Sequence, residues 1–233
     1  MLVTGIKSKP VYAPLRADTR GRYHLMLGKG PGNVALMRVL RELQSAAPQA
    51  LGRTRVLLIP EETPAGTAVG PAATTAAPAP TDALPVPPAN PPVPDARLES
   101  FAALGLEALR VFADVPSLLR EFRSLLDGAL MGTRLYVAGP ESFIGLAMKI
   151  ALEFDLNKDE IRAEELGSRA RRVYCIHCRA TTEDVRTNVV RCVDCGSWLL
   201  VRDHYSRRLA AYMGVMVDAE APGELPEIKE VFV

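Results

Sequence analysis

The chain has 233 residues, with 28 Lys and Arg against 27 Asp and Glu, so its formal net charge of +1 gives no global field to steer it onto nucleic acid or an anionic membrane. No uninterrupted apolar run approaches the ~20 residues that a membrane span needs. The opening Met1-Leu-Val-Thr-Gly-Ile-Lys7 lacks the extended apolar stretch of a signal peptide, and a cytoplasmic location is expected.

Tyr23-His-Leu-Met-Leu27 predicts a short buried strand that ends at Gly28-Lys-Gly30-Pro-Gly32. Asn33 is the expected N-cap of a helix in which Leu36, Leu40 and Leu43 recur at helical spacing, with Arg38, Arg41 and Glu42 on the wet side. Arg55-Val-Leu-Leu-Ile59 predicts a second strand, completing a β–turn–α–β unit of a parallel sheet. From Thr63 to Pro94 the chain is almost wholly Ala, Pro, Thr, Val and Gly, a composition that removes amide donors. Residues 63–95 are therefore expected to be a disordered or extended insertion, a passive linker rather than a proline-motif ligand.

Beyond it the alternation resumes. Ala108–Phe112 predicts a strand. Asp114 and Pro116 open a helix with Leu118, Phe122, Leu125 and Leu126 on its apolar face, and Gly128 stops it. Arg134–Ala138 predicts the next strand, ending at Gly139-Pro140; a helix follows, and Glu160–Leu166 closes as a strand. The expected fold is α/β: a doubly wound, Rossmann-like parallel sheet from residues 1–62 and 96–168.

A glycine-rich turn from strand to helix gathers backbone amides and the helix dipole at one point, which suits an anion or a dinucleotide. Gly28-x-Gly30-x-Gly32 is not the GxGxxG fingerprint, however. No acidic residue stands about 20 positions on; Glu61 and Glu62 are about 30 away. A simple tight turn is favoured over a phosphate cradle.

The four cysteines form two CxxC pairs, Cys175-Ile-His-Cys178 and Cys192-Val-Asp-Cys195, separated by 13 residues. Such pairs can close a tetrahedral thiolate cage around one metal ion, and Gly196 suits the left-handed turn after the second pair. Residues 169–218 are thus expected to be a small zinc ribbon, in preference to two disulfides or four unrelated thiols, and a reducing compartment keeps the thiolates available. Few large apolar side chains, chiefly Trp198, Leu199, Leu200 and Tyr205, are expected to support it. Iron shares the tetrathiolate geometry, so a rubredoxin-like electron carrier is the alternative. Rubredoxins follow both pairs with Gly, whereas Arg179 follows Cys178 here, and zinc is preferred.

No Ser, His and acid combination builds a nucleophilic triad, and no catalytic residue is assigned. His24 is expected in the core, and His177 to shield the metal rather than ligate it. In Arg202-Asp-His-Tyr-Ser-Arg-Arg208, residues Arg202, His204, Arg207 and Arg208 form either an exposed charged segment or a docking surface for carboxylates on a partner. Arg169, Arg171 and Arg172 add positive charge before the ribbon. The acidic tail at 219–233 opposes phosphate binding, so no nucleic-acid partner is expected.

Two resemblances emerge. Leu135-Tyr-Val-Ala-Gly-Pro140 followed by a helix and Glu160–Leu166 resembles the last strand–helix–strand of the NAD-binding lobe of ferredoxin reductases. There an Ala-Gly-Pro or Cys-Gly-Pro turn contacts the nicotinamide cofactor, which implicates Gly139 and Pro140 here, and Gly28, Gly30 and Gly32 as the first glycine turn. The Thr-Pro that follows those glycines in the family is absent, as is the flavin-binding barrel, so the resemblance implies a degenerate lobe that has lost its nucleotide.

From Tyr174 onward, the two CxxC pairs, Val201-Arg-Asp-His-Tyr-Ser-Arg-Arg208, Ala211-Tyr-Met-Gly-Val215 and Asp218-Ala-Glu-Ala-Pro-Gly-Glu224 resemble the small subunit of dimethylamine monooxygenases, the DmmA-like family. That resemblance implies an accessory subunit of an NADPH-dependent complex that demethylates dimethylamine to methylamine and formaldehyde. Haem, FMN and an iron–sulfur centre are expected in the partner subunits, a haem oxygenase subunit and a flavin and iron–sulfur reductase subunit. It assigns no catalytic residue to this subunit.

Overall fold

A computed structural model describes residues 8–61 and 100–233; the Ala/Pro-rich stretch lies outside the described residues. Strands β1 (Tyr23–Lys29), β2 (Thr54–Ile59), β3 (Ala108–Val111), β4 (Thr133–Gly139) and β5 (Ile161–Glu165) form one sheet in the order β3-β2-β1-β4-β5. Every pairing in it is parallel. Helices α1 (Gly32–Ala46), α2 (Val115–Asp127) and α3 (Glu141–Glu153) connect the strands.

Both faces of this sheet are covered, which is why its strands read as unbroken apolar runs. Met26, Val56, Leu58, Tyr136 and Ala138 pack under Leu36, Val39, Leu40 and Leu43 of α1. The alternate residues Leu25, Leu27, Leu57, Leu135 and Val137 meet Leu118 and Phe122 of α2 and Phe143, Ile144 and Ala147 of α3. The expected α/β class with a parallel sheet is observed, and the strand order reverses between β1 and β4.

The helix caps split. Asp114 accepts the Ser117 amide at 2.7 Å and caps α2 as expected. Asn33 is not the cap of α1. Pro31, already at helical φ of −58°, takes that position, and Asn33 lies buried in the first turn, where its Nδ2 donates to the Ile59 carbonyl at 3.1 Å. Its amide thus ties α1 to the end of β2.

An N-terminal arm, unremarked in the sequence, crosses the sheet edge. Leu15 is buried, and its amide donates to Glu164 at 2.6 Å. Asp18, also buried, accepts from Arg20, Arg134 and Arg162 at 3.0, 3.2 and 2.9 Å. Those guanidiniums, Arg20 first, hold its carboxyl well below the usual carboxylate range against the opposing effect of burial.

The second sheet has the order β7-β6-β10-β9-β8: β6 (Arg171–Cys175), β7 (Thr181–Val185), β8 (Val189–Arg191), β9 (Trp198–Ser206) and β10 (Ala211–Met216). Only β6 and β10 pair in parallel. Its small core is Val173, Val185, Leu199, Val201, Tyr205 and Tyr212 with Cys175 and Cys192. Trp198 and Leu200 are only half-buried, because alternation along β9 gives the inner face to Leu199 and Val201. The arginine run is largely internal. Arg171 is buried between the rings of Tyr212 and Phe232, and Arg172 pairs with Glu183 and donates to the Ala210 carbonyl. Near the C-terminus, Val231 and Phe232 donate to the Arg186 carbonyl, which seats Phe232 on the sheet. No described helix is long and apolar enough to cross a membrane.

The two sheets meet where α3 faces β9 and β10. A Cβ on Gly145 would lie 2.2 Å from the Tyr205 hydroxyl oxygen and 3.2 Å from the Ala210 Cβ, so this approach requires glycine. Glu141 is buried in the same seam. The Tyr205 side chain lies beside its carboxyl, whose Oε1 has no hydrogen-bond partner. Burial, aided by Glu165, pushes the Glu141 carboxyl up to about 7 despite Tyr205 and the nearby Arg171 and Arg172. A folded-state value above the unfolded ~4.3 means that this group's contribution to stability is complete below that value and is lost as pH rises through 7. Glu141→Gln should therefore flatten the decline between pH 5 and 8, by on the order of 2–3 kcal/mol at pH 8. Chemical denaturation of both proteins across that range reads the difference, and parallel profiles would refute it.

Candidate metal centre

Each CxxC sits in a hairpin turn. Cys175 ends β6 and Cys178 lies in the turn to β7; Cys192 follows β8 and Cys195 precedes β9. The hairpins occupy opposite edges of the sheet, yet all four Sγ atoms lie within 4.8 Å of one another. Cys175 and Cys195 are 3.9 Å apart, Cys178 and Cys192 3.4 Å. These spacings are far beyond the ~2.05 Å of a disulfide and bracket the roughly 3.8 Å edge of a tetrahedron with 2.3 Å metal–sulfur bonds.

Both turns are built alike. Arg179 donates to the Cys175 carbonyl at 3.0 Å and Gly196 to the Cys192 carbonyl at 3.2 Å. Arg179 and Gly196 share a left-handed φ of 71°. Glycine is free to adopt that conformation, whereas Arg179 carries about 1 kcal/mol of strain there. The residue that departs from the double-glycine pattern thus still makes the same turn.

Hydrogen bonds act on two of the thiols in opposite directions. The hydroxyl and amide of Ser197, and then His177, hold the Cys195 thiol well below its ordinary value. At Cys178 the Ala180 amide acts in the same direction, but burial and the bonds to the other three sulfurs outweigh it and push the thiol up. Four thiolates cannot share so small a volume without a cation, and the all-sulfur donor set fits zinc or iron. His177 lies close enough to Cys195 to act on its thiol.

The remaining candidate residues lie elsewhere. Gly28, Gly30, Gly32, Gly139 and Pro140 come together at the carboxyl ends of β1 and β4, the switch point where open α/β sheets bind ligands. Two of the amides there are already engaged. Gly30 donates to the Ile59 carbonyl at 2.9 Å and Asn33 to the Gly30 carbonyl at 3.1 Å, while Pro31 has no N–H. A Cβ on Gly32 would fall 2.2 Å from the Ala138 carbonyl oxygen, so α1 abuts β4 directly. Gly167, leaving β5, lies against both Pro31 and Pro140, within about 3.6 Å of a Cβ built on it. His204, Arg207 and Arg208 are exposed around the end of β9, with Arg202 half-buried. His24 is buried and stacked on Tyr136, as expected. Glu141 was not legible in the sequence, because an acid at a helix start ordinarily reads as a solvated dipole partner.

A parallel α/β sheet joined to a second sheet with a four-cysteine cluster is the class defined by this geometry. The two domain models of the dimethylamine monooxygenase subunit DmmA-like family match it in order, the N-terminal domain over residues 48–161 and the C-terminal domain over 172–215. The chain belongs to that family. The heme-dependent oxidative N-demethylase delta subunit of Ectopseudomonas mendocina (strain ymp) is 35% identical over 115 residues, 49% of this chain and 66% of that protein's length. A solved ferredoxin reductase in carbazole 1,9a-dioxygenase (FAD apo form) aligns with a TM-score of 0.35 and 15% identity over 64% of this chain and 34% of that chain, too loose a likeness to carry weight.

Cys192→Ser should let the second sheet open while the parallel sheet persists. Structural zinc contributes on the order of 10–16 kcal/mol of apparent binding free energy in small domains, far more than so small an apolar core supplies. Hydrogen exchange is expected to show lost protection from Val173 to Val201 and unchanged protection in β1, β2 and β4. Full protection in the variant would show the cluster to be dispensable.

Proposed function

We propose that this chain is an accessory subunit of a haem-dependent oxidative demethylase acting on dimethylamine with NADPH and O2. Its part is to assemble the complex rather than to carry out the chemistry. The carrying observation is the match of both DmmA-like domain models, in order, to one chain. The named relative, a delta subunit, supports the same role. A closed site agrees with it: with four protein sulfurs as ligands, a tetrahedral metal keeps no open position for a substrate.

In this reading the second sheet is a zinc ribbon, its metal held by Cys175, Cys178, Cys192 and Cys195, and Arg202, His204, Arg207 and Arg208 face carboxylates of a partner. Haem, FMN and the iron–sulfur centre reside in the other subunits, and the cytoplasm is where such a complex would work. Co-expression with those subunits should yield one complex containing about one zinc per copy of this chain. A monodisperse monomer that ignores them would refute the reading. The exposure of Cys195 favours a second reading, a rubredoxin-like carrier between flavin and haem, because an exposed ligand lets a redox partner approach. Iron in the purified chain, with the red colour of a ferric tetrathiolate, would establish that alternative.

The Rossmann-like sheet is proposed to have lost its nucleotide. The internal use of the Gly30 and Asn33 amides and the position of Gly167 between Pro31 and Pro140 support this. NADPH titrated into the isolated chain is expected to give no saturable signal in the micromolar range. Micromolar affinity would restore Gly28, Gly30, Gly32, Gly139 and Pro140 as a cofactor site.

A further inference from the structure

A cavity of about 400 Å³ opens where the N-terminal arm, α3, β5 and the end of β9 converge. Its volume lies within the ~300–1,000 Å³ typical of small-molecule sites, which favour such junctions between packed units. Tyr12, Met148, Leu152 and Ile161 give it apolar walls. Its charged lining consists of Arg16, Lys158, Arg162 and Arg207, with no Asp or Glu among the described residues. In a chain whose charges nearly balance, four cations without an acid make a concentrated positive field, strengthened by low-dielectric walls.

Part of that charge is already matched. Arg16 pairs with Glu42 and Arg162 with Asp18. Lys158 and Arg207, both exposed, form no ion pair among the described residues, so their charge is free to meet a ligand.

We propose that this cavity binds a small amphipathic anion, with its apolar body against Met148, Leu152 and Ile161 and its carboxylate or phosphate head at Lys158 and Arg207. Because Tyr205 lines the cavity and also closes against Gly145, such a ligand would brace the junction between the two sheets. The inference rests on the cavity alone and is independent of the docking role given to Arg207 above.

Titration calorimetry on the full chain tests it, with decanoate as the anionic probe and decan-1-ol as its uncharged counterpart. Saturable binding of about one decanoate per chain is expected, with decanol about tenfold weaker or more. The Lys158→Gln, Arg207→Gln double variant should weaken decanoate about tenfold or more, and Leu152→Glu should weaken it similarly by placing a negative charge on the wall. Lys149→Gln, exposed on α3 and outside the cavity, should leave binding unchanged. Circular dichroism confirms that each variant is folded. Absence of saturable binding, equal affinity for decanol, or indifference to both cavity variants would each overturn the proposal.

Discussion

Four sulfur atoms within 4.8 Å of one another set the condition on which the second sheet depends. They come from hairpins at its opposite edges, which the fold brings to one point. Were all four to ionise there, only a bound cation could offset the mutual repulsion of the thiolates. The same sheet then supplies Tyr205 and Tyr212, packed edge to face at 5.0 Å, to the seam with α3. The sheet that gathers the four cysteines is thus also the surface against which Glu141 and Gly145 are fitted.

Three buried charges show how the chain tolerates ions inside. Asp18 collects three guanidiniums, and Arg171 has aromatic faces on both sides and Asp203 at 2.7 Å. Glu141 is different, because one oxygen lacks a partner and its proton affinity rises accordingly. Three guanidiniums hold the Asp18 carboxyl ionised, whereas burial of the Glu141 carboxyl favours its protonated form. That buried acid lies in the seam between the sheets rather than within either.

The parallel sheet was legible because burial on both faces imposes apolar runs such as Arg55–Ile59 and Arg134–Ala138, and because Asp114 and Gly128 punctuate α2 in the usual way. The cysteine spacing was legible because metal geometry leaves little choice. What escaped was tertiary. Asn33 looks like a cap until Pro31 proves able to start the helix alone, and Arg171 looks like surface charge until Phe232, 61 positions later, covers it. The arm around Leu15 and Asp18 has no periodicity, since its order comes from Glu164, Arg134 and Arg162 on other elements. Trp198 and Leu200 drew attention by size, but the register of β9 decided which residues went inside.

The switch point of a doubly wound sheet is ordinarily where a ligand sits, because strand ends diverge there and helix N-termini face the gap. Here the chain itself uses that ground. The Leu166 amide donates to the Gly139 carbonyl at 2.9 Å, Gly167 touches Pro31 and Pro140, and the chain continues directly into β6 and the cysteine sheet. The carboxyl edge of the parallel sheet thus carries the root of the second sheet. The cavity with the basic lining lies elsewhere on that junction, between the N-terminal arm and α3. Joining the sheets in this way leaves a seam between them, and it is in that seam that Gly145 must stay small to admit Tyr205.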